Sequence, residues 1–501
     1  MSGIIIGKHT LESLTSGMYS DSYVVFREYI QNSVDSIDEA VRLGVLSPGT
    51  DRIVVRLAPS DNQIVITDNG LGIASAEAEK NLISIGNSKK SSETSRGFRG
   101  IGRLSALSYC KRLTFTTSFK GENIATQIVI DASKLLEVLA DNSQSDVTVI
   151  DVLESVYTIS TFSEREEVHY FSAQMDGVDV NSKLLSLADV EDYLTQNAPV
   201  PYGPGFIWGK EIVKRLQNEG LEIGVYNVCL EYGTKSTPIF KPYKDEFVVD
   251  KGKNITDTVQ DISIFKILNE CNNLTAIGWL AKTNYMGSIY DKAIKGIRLR
   301  KGNIMIGDNQ TLNVVFKDAR FNGWSIGEIF AIDKLLVPNA RRDNFEKNPT
   351  YFVLFEQLMT IAAGITKDIR SASLKRNSAL SNAIDQLNST AQQATTAIGE
   401  GVAGAQKGLI TKKLKEAQLA LSNSSVTDES EQYYQNIAFA ELDMLIGKLQ
   451  GTTKYKALNT IEKLTNTEKK ILERVIQVVD SLEVECADIV IEAILNEFSA
   501  K

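Results

Sequence analysis

A chain of 501 residues with 43% hydrophobic and 23% charged residues has the composition of a globular protein of roughly three domains, which argues against disorder over most of its length. The net charge of -9 argues against a generally basic nucleic-acid coat, although a local basic groove depends on where the charges sit. Four dispersed cysteines (Cys110, Cys229, Cys271, Cys486) without a C-x-x-C pair argue against a disulfide framework or zinc knuckle, and two histidines, His9 and His169, against histidine-rich metal chemistry.

Ile4 to Ile6 form an apolar run that Gly7, Lys8 and His9 end at once, too short for a signal peptide or a membrane span. Leu354 to Ile365 is apolar but carries Glu356 and Gln357, as a core helix would, so a cytoplasmic protein is expected. Residues Tyr23 to Val41 have helical period. Phe26, Ile30, Val34, Ile37 and Val41 form one stripe, while Glu28, Asn32 and Asp35 at i, i+4 and i+7 share another face. Taken alone, such a polar face is usually just solvated.

Ile53 to Leu57 and Gln63 to Thr67 read as strands. In Ile64-Val-Ile-Thr-Asp68-Asn-Gly70-Leu-Gly72 a strand delivers a carboxylate at its end, and two glycines allow close backbone approach to a flat ligand. Asp-Asn-Gly is equally a common hairpin turn. Gly97-Phe-Arg-Gly100-Ile-Gly102 precedes helical spacing over Arg103 to Cys110, so backbone N–H groups and a helix N-terminus could cradle phosphate. The chain holds no G-x-x-x-x-G-K-[ST], which excludes a P-loop.

The Pro/Gly-rich passage Asn197 to Gly205 reads as a domain boundary. Beyond it, Gly296 to Ile306 alternates like a half-buried strand, with Ile297 and Leu299 opposite Arg298 and Arg300. After Pro349 the pattern is helical throughout. Residues 378–408 suggest a weakly held helix or a flexible connection, and Ser422 to Glu431 a polar break. The capping box Thr465-Asn-Thr-Glu468 opens a last helix with Leu472, Val475, Val479, Leu482, Cys486 and Ile489 in one seam. Internal packing and a dimer contact both fit that seam.

A helix with Glu and Asn, then strand-Asp-x-Gly-x-Gly, then a glycine-rich lid, in that order, resembles the GHKL ATPases: gyrase, the heat-shock chaperones, the histidine kinases and the MutL proteins. The ninety-kilodalton chaperone branch is the most similar, through Leu11-Glu-Ser-Leu, Phe26 to Asp38 and Asn81 to Lys90. The resemblance implies an N-terminal GHKL (Bergerat) α/β sandwich over 1–195, an α/β transducer-like middle domain over 206–350, and an all-helical C-terminal region over 351–501. It implies ATP with Mg²⁺ as ligands. Glu28 would be the general base, Asn32 the Mg²⁺ ligand and Asp68 the acceptor for the adenine amino group. Gly70 and Gly72 would leave room for the base, and Gly97, Gly100 and Gly102 would close over the phosphates, with Lys89 or Lys90 nearby. Asp35 would support the pocket. Leu336-Val-Pro-Asn-Ala-Arg-Arg-Asp343 is similar to the loop that inserts an arginine at the γ-phosphate, which points to Arg342, with Arg341 as substitute. The family's late-strand threonine is poorly matched: Ser172 stands near its place, and Thr116 or Thr117 are alternatives.

Three functions are compatible with this reading. The first is a chaperone-like, Mg-dependent ATPase acting as a homodimer on a protein client. The second is an ATP-gated DNA clamp, for which Lys295, Arg298, Arg300 and Lys301 could line an inner groove. The third is a weakly hydrolysing regulator. A histidine kinase fits least, because neither His9 nor His169 lies in a dimerising helix ahead of the ATPase domain.

Overall fold

The helical period of the first apolar stripe produces α1 (Val24–Arg42), whose Phe26, Ile30, Val34 and Ile37 are all buried. The computed structural model describes residues 21–84, 102–141, 148–252, 254–400, 404–424, 429–450, 464–482 and 486–499. Two compact units divide it, Met1–Thr366 and Lys367–Lys501.

In the first unit, an eight-stranded sheet contains β1 (Ile53–Ala58), β2 (Gln63–Asp68), β3 (Arg112–Ser118), β4 (Ile124–Asp131), β5 (Tyr157–Ser163), β6 (Tyr170–Asp176), β7 (Val228–Tyr232) and β8 (Lys235–Pro238). Their order is β5-β4-β3-β6-β2-β1-β7-β8. Neighbours are antiparallel except β1 and β7, which run parallel. Strand alternation sends Ile64 and Ile66, Leu113 and Phe115, and Ala173 and Met175 into one core with α1 and the 3₁₀ helix Gly102–Ser108. The opposite face carries half-buried Thr67, Thr116, Gln127, Ser172 and Gln174. The expected strands and first helix are thus present. Arg103 to Cys110 is not an α-helix, however: its first turns wind as 3₁₀.

The same unit holds α2 (Ser75–Ile83), α3 (Ala132–Ala140), α4 (Val149–Val156), α5 (Leu187–Asn197), α6 (Trp208–Asn218) and an antiparallel pair, β9 (Glu246–Asp250) with β10 (Ile255–Thr258). A five-stranded sheet follows: β11 (Asp261–Leu268), β12 (Leu274–Lys282), β13 (Gly296–Lys301), β14 (Ile304–Ile306) and β15 (Ile326–Ala331), ordered β11-β12-β15-β13-β14. Here the half-buried reading of β13 is corrected. Arg298 and Arg300 are both 0% exposed, so neither can line a basic groove. The alternation Ile-Arg-Leu-Arg looked amphipathic only because the partners of the arginines lie far away in sequence.

Glu328 of β15, also 0% exposed, accepts from Arg300, from Lys241 at 2.7 Å and from the Tyr202 hydroxyl at 2.6 Å. Arg300 and Arg298 donate further to the Gln196 carbonyl and side-chain oxygen at 2.9 and 3.2 Å, at the C-terminal end of α5 where the helix dipole favours cations. Burial, reinforced by Arg300, pushes the Lys241 ammonium down to about 7 despite its Glu328 contact. Burial alone would raise the Glu328 carboxyl, but Arg300 and Lys241 outweigh it and hold the group well below the usual carboxylate range.

The helix α7 (Pro349–Glu400) begins in the first unit and ends in the second. In the second unit, its Ala383, Leu387, Ala391 and Ala394 share a core with Leu414, Ala417 and Leu421 of α8 (Gly404–Ser422). Leu442, Leu445 and Leu449 of α9 (Glu429–Gln450) complete it. The small residues of the Ala-rich stretch therefore serve close helix packing. The capping box is present: Thr465 accepts from Glu468 N at 3.4 Å, and the Glu468 carboxylate accepts from Thr465 N at 2.8 Å.

The single long seam is corrected. Two helices, α10 (Asn466–Ser481) and α11 (Ala487–Ser499), replace it. Leu472 and Ile476 bury against Ile491 and Leu495, while Val475, Leu482 and Ile489 are exposed. In one straight helix Leu472 and Ile491 would stand about 28 Å apart, so burying them together requires the break. No helix among the described residues is long and apolar enough to cross a membrane.

Candidate nucleotide site

Glu28 lies one turn into α1 and is buried to 6% exposure. A buried carboxylate needs a partner. Arg342 supplies it as an ion pair outside hydrogen-bond geometry, with Nε 3.0 Å from Glu28 Oε1, across more than three hundred residues of sequence. Arg27 Nε stands 3.7 Å from the same oxygen, and Arg27 Nη2 donates to the Arg341 carbonyl at 3.0 Å. Of the two candidate arginines, then, Arg342 turns its side chain to Glu28, while Arg341 offers only its main chain. Arg342 adopts φ +57°, a left-handed conformation that costs a non-glycine residue about 1–2 kcal/mol. Its turn is fastened by Arg342 N to Asn339 O at 3.1 Å and Gly307 N to Arg342 O at 2.8 Å.

Gly102 closes the other side of the carboxylate. A Cβ there would come within 2.0 Å of Glu28 Oε2, so only glycine lets the 3₁₀ helix approach this closely. Gly102→Ala is expected to push the Glu28 side chain away from its present place. Next to it, Arg103 donates from Nε to Leu82 O at 3.0 Å and also to Ser84 O, bringing the end of α2 beside the start of the 3₁₀ helix. Its carbonyl accepts from the Tyr29 hydroxyl at 2.7 Å. Burial pulls the Arg103 guanidinium down to about 10.

Asp68 ends β2 and is 2% exposed, with Oδ1 accepting from Gly70 N at 2.9 Å. Both glycines after it press on the protein itself. A Cβ at Gly70 would meet Ser36 Oγ at 2.4 Å, and one at Gly72 would meet the Ser118 carbonyl at 1.9 Å. Ladder register decides which hydroxyl shares the Asp68 face. Asp68 pairs with Phe171 and Phe171 with Thr117, whereas Ser172 pairs with Thr67 and Thr116 on the opposite face. Thr117 Oγ1 accepts from Ile73 N at 2.8 Å and donates to Tyr170 O at 3.0 Å.

Asn32 and Asp35 are half-buried on α1, one and two turns after Glu28. Lys89, Gly97 and Gly100 lie outside the described residues. Sequence reasoning missed Arg27, Ser36 and His169. Ser36, four residues after Asn32, completes the polar face and was within reach of the helical spacing. Nothing local marks His169, whose Nδ1 lies 2.6 Å from the Gly70 carbonyl.

Among the described residues no group of three or more His, Cys, Asp or Glu side chains could hold a metal ion. The Gln31 amide, 1% exposed, and the Ser105 hydroxyl are buried without a hydrogen-bond partner among the described residues, on the two elements that meet at Glu28.

Residues 19–155, about a quarter of the chain, match the family model described as histidine kinase-, DNA gyrase B-, and HSP90-like ATPase. That segment carries α1, Asp68 and Gly102 and lies in the first unit, where it supports a likeness to the ATPase domains of the GHKL superfamily. The description embraces three branches and selects none of them. No curated protein matches the chain.

Proposed function

We propose that the first unit binds Mg-ATP between α1, the 68–73 loop and Gly102, and hydrolyses it to ADP and phosphate in a chaperone-like cycle. The observation that carries this reading is the meeting of Glu28, Gly102 and Arg342, a carboxylate and a guanidinium 3.0 Å apart beside a glycine-lined approach. In this assignment Asp68 accepts from the adenine amino group, with Thr117 behind it and Asp35 supporting the pocket. Gly70 and Gly72 let the loop lie close. Lys89, Gly97, Gly100 and Gly102 surround the phosphates. Glu28 takes the proton of the attacking water as the water–phosphorus bond forms and the bond to the ADP oxygen breaks. Arg342 neutralises charge growing on the transferring phosphoryl group. When bound, Mg²⁺ would be held by Asn32 and phosphate oxygens and would screen the triphosphate charge.

Because Arg342 belongs to the 336–343 loop of the middle region, nucleotide state would be felt outside the ATPase domain. Such coupling would suit a cycle on a protein client better than a passive regulator, and the reading takes a homodimer in the cytoplasm as the working form. The DNA-clamp alternative loses two of the four residues expected in its inner groove, Arg298 and Arg300, to burial.

Titration calorimetry with ATP and Mg²⁺ tests the central reading: saturable uptake is expected, and none would overturn it. Light scattering with a non-hydrolysable analogue tests the cycle. A nucleotide-dependent change in subunit number or size supports it, and an unchanged particle removes it.

A further inference from the structure

We infer that His169 is a positioning residue for adenine recognition, acting through the single peptide group that follows Gly70. This rests on the nucleotide reading given above. A carbonyl oxygen only accepts, so the 2.6 Å contact between His169 Nδ1 and Gly70 O requires the proton on Nδ1. The other end of the same peptide group, Leu71 N, donates to Ser36 Oγ at 2.9 Å. A peptide group is planar, so gripping both its polar ends fixes its orientation. One grip comes from the residue before β6 and the other from α1.

That orientation matters because Gly70 has no side chain to limit its own rotation. Gly70 N donates to Asp68 Oδ1 at 2.9 Å, so the clamped residue in turn holds the carboxylate. The next fastening point, Ile73 N on Thr117 Oγ1 at 2.8 Å, leads to Tyr170 O at 3.0 Å, beside His169 in sequence. Two consecutive residues, His169 just before β6 and Tyr170 at its start acting through Thr117, therefore tie down both ends of the loop. A carboxylate held still accepts from an amino group and rejects a carbonyl in its place, which is the chemical difference between adenine and guanine. Discrimination of this kind depends on fixed polar groups left unpaired by the wrong base.

The test compares His169→Ala and His169→Asn with the wild-type full chain. Calorimetric dissociation constants for ATP, ADP and GTP are measured together with kcat at saturating ATP. Asparagine places its amide nitrogen on Cγ, as histidine places Nδ1, and can donate to the same carbonyl. For the alanine variant, ATP and ADP affinity should fall roughly 5- to 10-fold, the factor carried by one net hydrogen bond, and preference over GTP should shrink alongside. Its kcat should stay close to wild type, because Glu28, Gly102 and Arg342 are untouched. Asparagine should restore most of the affinity and the preference.

Wild-type affinity and discrimination in the alanine variant would overturn the inference. So would parallel losses of kcat and affinity that asparagine fails to rescue, the mark of a merely structural histidine. Were the wild-type chain to take up no adenine nucleotide, the nucleotide reading itself would fall and this inference with it. Binding by the wild type with equal binding by the alanine variant would sink His169 alone.

Discussion

Glu28→Gln is expected to lower ATP turnover by about 10²- to 10⁴-fold, the range a positioned general base contributes, while nucleotide still binds. Glutamine keeps the volume beside Gly102, so the close approach survives. It cannot take a proton from water at neutral pH. The ion pair with Arg342 is also lost. Affinity should stay near the wild-type value as turnover collapses. Arg342→Ala should slow turnover with binding near normal. Because the two side chains touch, the double variant should lose less than the product of the single losses. Phosphate release and calorimetry on the three variants decide the matter. Wild-type turnover in the glutamine variant would end the assignment of Glu28, and strictly multiplicative losses would show that the pair does not act together.

The elements of the first unit were legible in sequence wherever periodicity alone specifies them. The stripe Phe26, Ile30, Val34 and Ile37 is one buried helical face, and Ile64 and Ile66 alternate toward the core before Asp68. What spacing could not supply was convergence. Glu28 and Arg342 are brought together by the packing of a whole unit, and the likeness of the 336–343 loop to a known pattern pointed to Arg342 without locating its partner. The threonine question turned on register, because Thr116 and Thr117 differ by one residue and hence by the face they occupy. His169 was legible only as a lone histidine, since its partner is a backbone carbonyl about one hundred positions away.

The misreading of β13 has a different cause. Alternating Ile-Arg-Leu-Arg is what a half-solvated strand looks like, and the pattern is blind to arginines buried by pairing. A usable signal lay elsewhere: Glu328 sits in the otherwise apolar strand Ile326–Ala331. An acidic residue in a buried strand demands cationic company, and β13 pairs with that strand in parallel, with Arg298 registered on Glu328 itself. Reading the two segments together would have moved both arginines inside.

That cluster underlies the second large effect. Glu328→Gln is expected to destabilise the first unit by about 3–5 kcal/mol, the cost of leaving buried cations without their counter-ion. Arg300 and Lys241 would both lose it, and because glutamine keeps one oxygen, either Arg300 or the three groups on the other oxygen (Lys241 at 2.7 Å, Tyr202 at 2.6 Å, Trp279 at 3.2 Å) would face an amide N–H instead. All three tryptophans, at 208, 279 and 324, lie in this unit, so their fluorescence during denaturation reports on it alone. The pH dependence has a definite sign. Lys241 titrates near 7 when folded, against 10.5 for an ordinary lysine. Between those values the unfolded chain binds the extra proton, so stability should rise with pH from about 7 to 10.5. Lys241→Met should flatten that rise. Replacing Lys241, Glu328 and Arg300 together by apolar residues should recover much of the stability lost on removing Glu328 alone, because Arg298, held by main-chain oxygens and Gln196, is then the only cation of the cluster left. A Glu328→Gln variant that melts with the wild type at pH 7 would mean that the cations find other partners or water, and that the cluster does not hold the five-stranded sheet against α5.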